Sequence, residues 1–511
     1  MLLFGALSGP LPKLGVIAVA VLAAVVMLHP DVRVQGLAML AALVLSPALL
    51  LADIWHSPQL GLVHRHPLVA AVGALVALVA VAAAALALSR RPALLAGAVI
   101  VALPFRIPIQ TGGQTKNLLV PLYFVIAAGA VAFIVDSVRG DVAARSRSGP
   151  SAHPRARWLE RLLALYVVLY GIQAAYSSSL ETALQQMVFF YVPFALAFCL
   201  LRRIDWTPEL TRRCLGLVAG LAVLFALVGF IEYATKTIFL NPKLVAANAD
   251  HTYFTVNSVF FDPNIFGRFL ALVMILLGAV LLYARRQRTQ LATLVVLAIL
   301  WGGLVLTLSR SSLGALLIGL GVLAALRWRV GRAVFVAAGV VAVAAAAVAI
   351  SPTTFGLNQG LNGASNGRPN LVSGGIDLFK ARPGWGYGSG SFETEYAAHN
   401  NHPGQTLTAS HTIPVTIAAE QGLIGELAYL AFVVATLITL LHRARGDPAR
   451  VAIAAAFVAL LFHTLLYADF LEDPITWTLL AIGVALAGRP PPVPAPAETP
   501  PSGRHLEQQV A

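Results

Sequence analysis

Arg310 stands in Leu308-Ser309-Arg310-Ser311-Ser312, between two apolar runs. A guanidinium keeps its charge and grips a phosphate with two parallel N–H donors. An arginine at a membrane edge therefore suits an anionic headgroup; the plain alternative is a side chain reaching from a helix end toward water. Arg368, in Asn366-Gly367-Arg368-Pro369, opens the ordered part of a long polar loop, where Lys380 and Arg382 add general attraction for an anion. Arg268 lies one turn into the run that begins Asp262-Pro263-Asn264. A charge at that depth is expensive, and it points either to a functional cavity or to a head reaching outward.

His411, in Ala409-Ser410-His411-Thr412, begins the apolar run after the loop. Histidine titrates near neutrality and can take a proton from a hydroxyl, although a lone histidine at a helix start is more often an interfacial polar residue. Glu420 lies nine residues further on, about 2.5 helical turns deeper. It reads as a functional carboxylate or as the buried partner of an arginine. Glu232, Asp262, Asp469, Glu472 and Asp473 crowd the same edge. His399 and His402 have a spacing that could hold a metal, but no third ligand is near, and a solvated loop is the preferred reading. The sequence has no cysteine cluster, no His-Glu-x-x-His and no Asp-x-Asp pair. These residues suggest a phosphate-bearing substrate handled without a protein-bound metal or a cofactor.

The elements that must position these groups are membrane helices. Of 511 residues, 58% are hydrophobic and only 11% charged, far from the roughly 25% charge of a soluble domain. A cytosolic enzyme, a disordered chain and a secreted disulfide scaffold are excluded; Cys199 and Cys214 give no disulfide framework. A bilayer core needs about 20 apolar residues per helix. Apolar runs fall near 12–29, 35–52, 67–88, 92–109, 117–135, 158–176, 182–201, 214–233, 264–283, 291–308, 312–326, 333–350, 411–441, 451–468 and 474–487. The expectation is an all-α polytopic bundle of about 14 spans, range about 12–15. The first run has no small-residue cleavage site after it and reads as retained.

The expected divisions are N-terminal spans over 1–135, a basic cytoplasmic linker at 136–157 and a transmembrane core over 158–350. An extracytoplasmic catalytic loop at 351–410, C-terminal spans over 411–488 and a disordered Pro-rich cytoplasmic tail at 489–511 complete the chain. Orientation comes from arginine. Arg90, Arg139, Arg155, Arg202, Arg212, Arg285, Arg327, Arg443 and their neighbours occupy alternate loops, and such loops face the cytoplasm. The net charge of +13 is then mostly a topology signal, and nucleic acid is not an expected partner.

The long loop is not low-complexity, and loops above about 12–15 residues are usually functional or disordered. Its run Pro383-Gly384-Trp385-Gly386-Tyr387-Gly388-Ser389-Gly390-Ser391-Phe392 places glycines where positive φ or close backbone approach is possible. A hairpin-like turn lying on the membrane surface is an equal alternative. A phosphate-binding Walker loop is excluded, because the Lys-Ser/Thr is missing.

In order along the chain, these pieces resemble the O-antigen ligase/polymerase family from about residue 160 to 470. Phe261-Asp262-Pro263-Asn264-Ile265-Phe266-Gly267 is similar to the family's Asn-centred helix start, and Leu306 to Ser312 to its Ser-Arg element. Asn366-Gly367-Arg368 with Pro383 to Phe392 resembles its outer loop. His411 with Ala419-Glu420-Gln421-Gly422-Leu423-Ile424-Gly425 resembles its His and Glu-x-Gly-Leu-Ile-Gly pair. Ala398-His399-Asn400 reproduces the family tripeptide literally, but it lies 21 residues before Glu420, where the family spacing is nearer nine; spacing favours His411.

The resemblance implies a metal-independent, inverting glycosyltransferase of the integral-membrane C type in the bacterial cytoplasmic membrane. It would move a glycan from a polyprenyl-diphosphate carrier to a glycan, lipid or other hydroxyl acceptor at the outer face. By position, Arg310 and Arg368 would bind the diphosphate and His411 would orient or deprotonate the acceptor. Arg268, Asn264, Lys380, Arg382, Glu420, Gly386 and Gly388 would form the surrounding substrate site. A polysaccharide polymerase of the same family differs only in acceptor. A transporter or flippase without chemistry would instead carry charges in mid-membrane and inverted repeats.

Overall fold

A computed structural model describes residues 9–328 apart from 56–59, 112–113, 141–153, 242–243, 246–247 and 250–252, then residues 368–399, then residues 410–488 apart from 468. The expected span at 333–350, the Asn/Gly stretch before Arg368, His402 and the tail from residue 489 lie outside the described residues.

In lipid, a chain can satisfy its backbone only within a helix or a closed barrel, and the apolar runs form helices. Among the described residues, ten are long and apolar enough to cross a membrane. Three shorter apolar helices accompany them, together with Pro154–Ala174, whose first turns carry Arg155, Arg157, Glu160 and Arg161. In chain order the helices are α1 (Pro10–Leu28), α2 (Val32–Ile54), α3 (Pro67–Arg90), α4 (Ala93–Ala102), α5 (Val120–Arg139), α6 (Pro154–Ala174), α7 (Leu180–Leu201), α8 (Pro208–Thr235), α9 (Pro263–Tyr283), α10 (Gln287–Leu306) and α11 (Arg310–Arg327). Then come α12 (Arg368–Ala381), α13 (Phe392–His399), α14 (Ile413–Leu441), α15 (Pro448–Thr464) and α16 (Pro474–Ala487). A one-turn helix, Gly61–Arg65, precedes α3. The protein is an all-α polytopic membrane protein, with one small exception among the described residues.

That exception falls in the run at 92–109, which Pro104, Arg106 and Pro108 break in the sequence. α4 stops after ten residues, because Pro104 and Pro108 lack the N–H that would continue it. The chain turns instead into a hairpin, β1 (Ile107–Thr111) against β2 (Gln114–Leu118), antiparallel with Ile107 opposite Leu118. Elsewhere the helix starts follow simple chemistry. Asp262, Asp447 and Asp473 accept backbone N–H groups at the caps of α9, α15 and α16, each followed by proline in the first turn. Ser309 does the same for α11.

α6 packs between α1 and α14, and α11 packs on α9 and α15. Pairing, not propensity, sets helix ends on common levels. At one level the arginine-bearing ends meet: Arg202 pairs with Glu160 at 2.6 Å in a buried site. Arg445 donates to the Ala325 carbonyl at 3.3 Å, and the Thr439 hydroxyl to that of Arg155 at 3.3 Å. At the other level the starts of α9, α11, α14 and α16 meet the end of α15. Cys199 and Cys214 are buried free thiols.

Candidate functional site

Ser309 caps α11 and makes Arg310 its first residue. The Ser309 hydroxyl donates to Asn264 Oδ1 at 2.9 Å and lies 2.7 Å from the Ser312 hydroxyl. Ser312 Oγ donates to the Asn264 carbonyl at 3.2 Å. Asn264 is itself fixed, since its N–H donates to Asp262 Oδ1 at 2.6 Å. Two sequence elements far apart in the chain thus interlock, and the Arg310 side chain stands on an exposed position above a buried serine turn. The turn demands close approach: a Cβ on Gly267 would come within 2.8 Å of Ser312 Oγ.

Arg268 sits below. It does not reach outward. Its guanidinium is 1% exposed, pairs with Asp473 at 2.7 Å and donates to the Asp469 carbonyl at 3.3 Å. Breaking such a pair strands a buried charge, so Arg268 ties α9 to the start of α16.

His411 precedes α14 in left-handed conformation, φ 59°. Its ring lies 5.8 Å from that of Tyr467, and Thr412 donates to the Leu465 carbonyl at 3.1 Å. Tyr467 donates its hydroxyl to Asp262 Oδ2 at 2.8 Å. Burial, with the Asp262 and Asp469 charges, holds that hydroxyl well above its ordinary range, so it remains a donor. Tyr467 also packs against His463, ring to ring at 5.7 Å. His463 is fully buried, and its Nε2 lies 3.2 Å from Ser311 Oγ and 3.3 Å from Ser312 Oγ. The sequence reading passed over His463 and Tyr467. The signal was there, since both lie in the expected apolar run 451–468, where an ionisable residue is a functional candidate by default.

The long loop is no surface turn in its described part. Gly422 takes φ 66° and ψ −164° and breaks α14, and the glycine run threads into that break. The N–H of Gly388 donates to the Glu420 carbonyl at 2.7 Å, and that of Leu423 to the Pro383 carbonyl at 2.7 Å. The Glu420 carboxylate accepts the N–H groups of Gly390 at 2.8 Å and Phe392 at 3.0 Å. On the far side Ser389 donates to the Tyr170 carbonyl at 2.9 Å, and Ser177 to that of Ser389 at 2.8 Å. Gly386 has φ 67°, and a Cβ there would strike the Glu420 carbonyl; one on Gly388, φ 96°, would strike the Ser177 backbone. Gly386→Ala is expected to cost about 3 kcal/mol or more, from left-handed strain plus the backbone collision. A thermal melt of the detergent-purified variant checks this, and wild-type melting would contradict it.

Glu420, Gly386 and Gly388 therefore hold the loop to the bundle. α12 lies along α14, where a Cβ on Gly375 would meet Val415; Arg368 is the first residue of α12. Arg382 stacks over Tyr387 at 4.4 Å, while Lys380 is exposed and pairs with Asp377 at 3.1 Å. His399 ends α13, exposed, with Nδ1 2.9 Å from the Glu395 carbonyl and its ring 5.6 Å from Tyr387. No group of three His, Cys, Asp or Glu side chains with metal-holding geometry occurs among the described residues. In the turn before α16, burial and the neighbouring Asp469 carboxylate push Glu472 well above the usual carboxylate range.

The described residues thus bring an arginine-headed helix, a histidine at a helix start and a packed glycine loop into one helical membrane bundle. Residues 294–430 match the family model described as O-antigen ligase, and over that segment the chain is similar to O-antigen ligases. The match spans Arg310, Arg368, the glycine loop, His411 and Glu420; Asn264, Arg268 and His463 lie outside it. No curated protein matches the chain.

Proposed function

We propose that the protein transfers a glycan from a polyprenyl-diphosphate carrier to an acceptor hydroxyl at the outer face of the bacterial cytoplasmic membrane. The observation that carries this reading is Arg310 at the start of α11, on the level opposite the arginine-bearing helix ends. Arginine is disfavoured on the outer side, so one held there by a buried serine–asparagine turn calls for an anionic ligand. The helix N-terminus adds its positive dipole end.

The barrier to transfer is charge growing on the departing diphosphate, and fixed cations in a dry site lower it. Arg310 and Arg368 grip the diphosphate, with Arg382 and Lys380 drawing the anion in. His411 orients the acceptor hydroxyl and takes its proton as the new glycosidic bond forms from the opposite face. The anomeric carbon inverts, the carrier diphosphate leaves with the bonding electron pair, and no metal takes part. Asn264, Arg268, Glu420, Gly386 and Gly388 hold these groups in place. A polymerase would use the same machinery with a glycan repeat as acceptor.

Lipid extraction from a deletion strain tests this. A carrier-linked glycan should accumulate, and its chain length distinguishes ligase from polymerase. Unchanged carrier lipids would favour a transporter without chemistry.

A further inference from the structure

His463 has no part in the reaction as described, yet it occupies a singular place. It is a fully buried histidine in the last turn of α15. Its Nε2 faces two serine hydroxyls at once, those of Ser311 and Ser312. Those serines immediately follow Arg310 in the first turn of α11. On its other side His463 packs on Tyr467, whose second neighbour is His411 and whose hydroxyl is bound to Asp262. Asp262 in turn fixes Asn264, which receives the Ser309 hydroxyl. The contacts close a ring: Arg310 turn, His463, Tyr467, Asp262, Asn264, and back to the Arg310 turn.

A serine turn alone has several hydroxyl rotamers and several ways to start a helix. With an imidazole nitrogen between two of its hydroxyls, and an asparagine holding the third, one arrangement is selected. We propose that His463 is a positioning residue, which sets the Arg310 guanidinium for a diphosphate and, through Tyr467, ties that turn to His411. This rests on the reading of Arg310 as a diphosphate ligand. His463 itself touches no substrate.

The test uses the full-length protein in nanodiscs and undecaprenyl diphosphate as the probe, with Kd measured by native mass spectrometry. His463→Ala should raise Kd about tenfold, the worth of one buried hydrogen-bonded anchor. His463→Gln, whose amide still meets the serine hydroxyls, should restore Kd to within about threefold, a rescue that filling space alone does not give. Arg310→Gln should raise Kd by about 10–100-fold. Adding His463→Ala to Arg310→Gln should then change Kd by less than about twofold, because His463 acts only through Arg310.

A full tenfold further loss in the Arg310→Gln background, or wild-type binding by folded His463→Ala, would overturn the assignment. Should His463→Ala fail to fold, the Ser311→Ala/Ser312→Ala pair cuts the same contact from the other helix and is judged by the same comparison. Wild-type binding by Arg310→Gln would bring down the diphosphate reading itself, and this inference with it. That outcome is distinct from a weakened Arg310→Gln on which His463→Ala acts independently.

Discussion

Arg310→Ala is expected to lower glycan transfer by about 10²–10³-fold, the cost of removing one fixed donor from a developing anion. Protein level and melting should stay near wild type, because the residue's side chain is exposed. The turn beneath it is held by Ser309, Ser312 and Asn264. Arg310→Lys should recover little, since an ammonium cannot make the paired, planar contacts of a guanidinium. Carrier-linked glycan in a deletion strain expressing each variant reads this directly. Wild-type carrier levels with Arg310→Ala would contradict the assignment. Arg368→Ala should behave in the same way, as the second grip on the same leaving group.

The second large effect belongs to histidine. A positioned base contributes about 10²–10⁴-fold, so His411→Ala should lose transfer by that order while donor binding changes little. His399→Ala should be nearly silent: His399 is exposed, at the end of α13, and bound to the Glu395 carbonyl of its own helix. A kcat and KM comparison of the two purified variants separates them. A dead His399→Ala beside an active His411→Ala would exchange their roles, and would mean that the literal Ala-His-Asn tripeptide outweighs spacing.

Much of this fold was legible because lipid leaves the chain few choices. Runs such as 264–283 and 411–441 are too apolar and too long for anything but spanning helices, and both are found within a few residues of the expected bounds. The run at 92–109 is broken in the sequence by Pro104, Arg106 and Pro108, and there the helix ends; that the chain then pairs as a hairpin was not legible. The glycine run was readable as special but not as buried. Glycine permits both a free turn and a tight approach, and only the break at Gly422 decides for the second. Arg268 was ambiguous for a related reason: its partner Asp473 lies far along the chain, and nothing local announces the pair. Arg310 was visible from position alone. Its support was not, because Ser311, Ser312 and His463 meet only when α11 packs on α15.

The most direct measurement uses carrier lipid purified from the deletion strain, mixed with the full-length protein in nanodiscs, an envelope extract as acceptor source, and EDTA. The wild-type protein is expected to release free polyprenyl diphosphate as the glycan moves, and the Arg310→Ala protein to release almost none. Equal release by both, or retention of the glycan on its carrier with the wild-type protein, would contradict the claim that arginines at this face draw out the diphosphate.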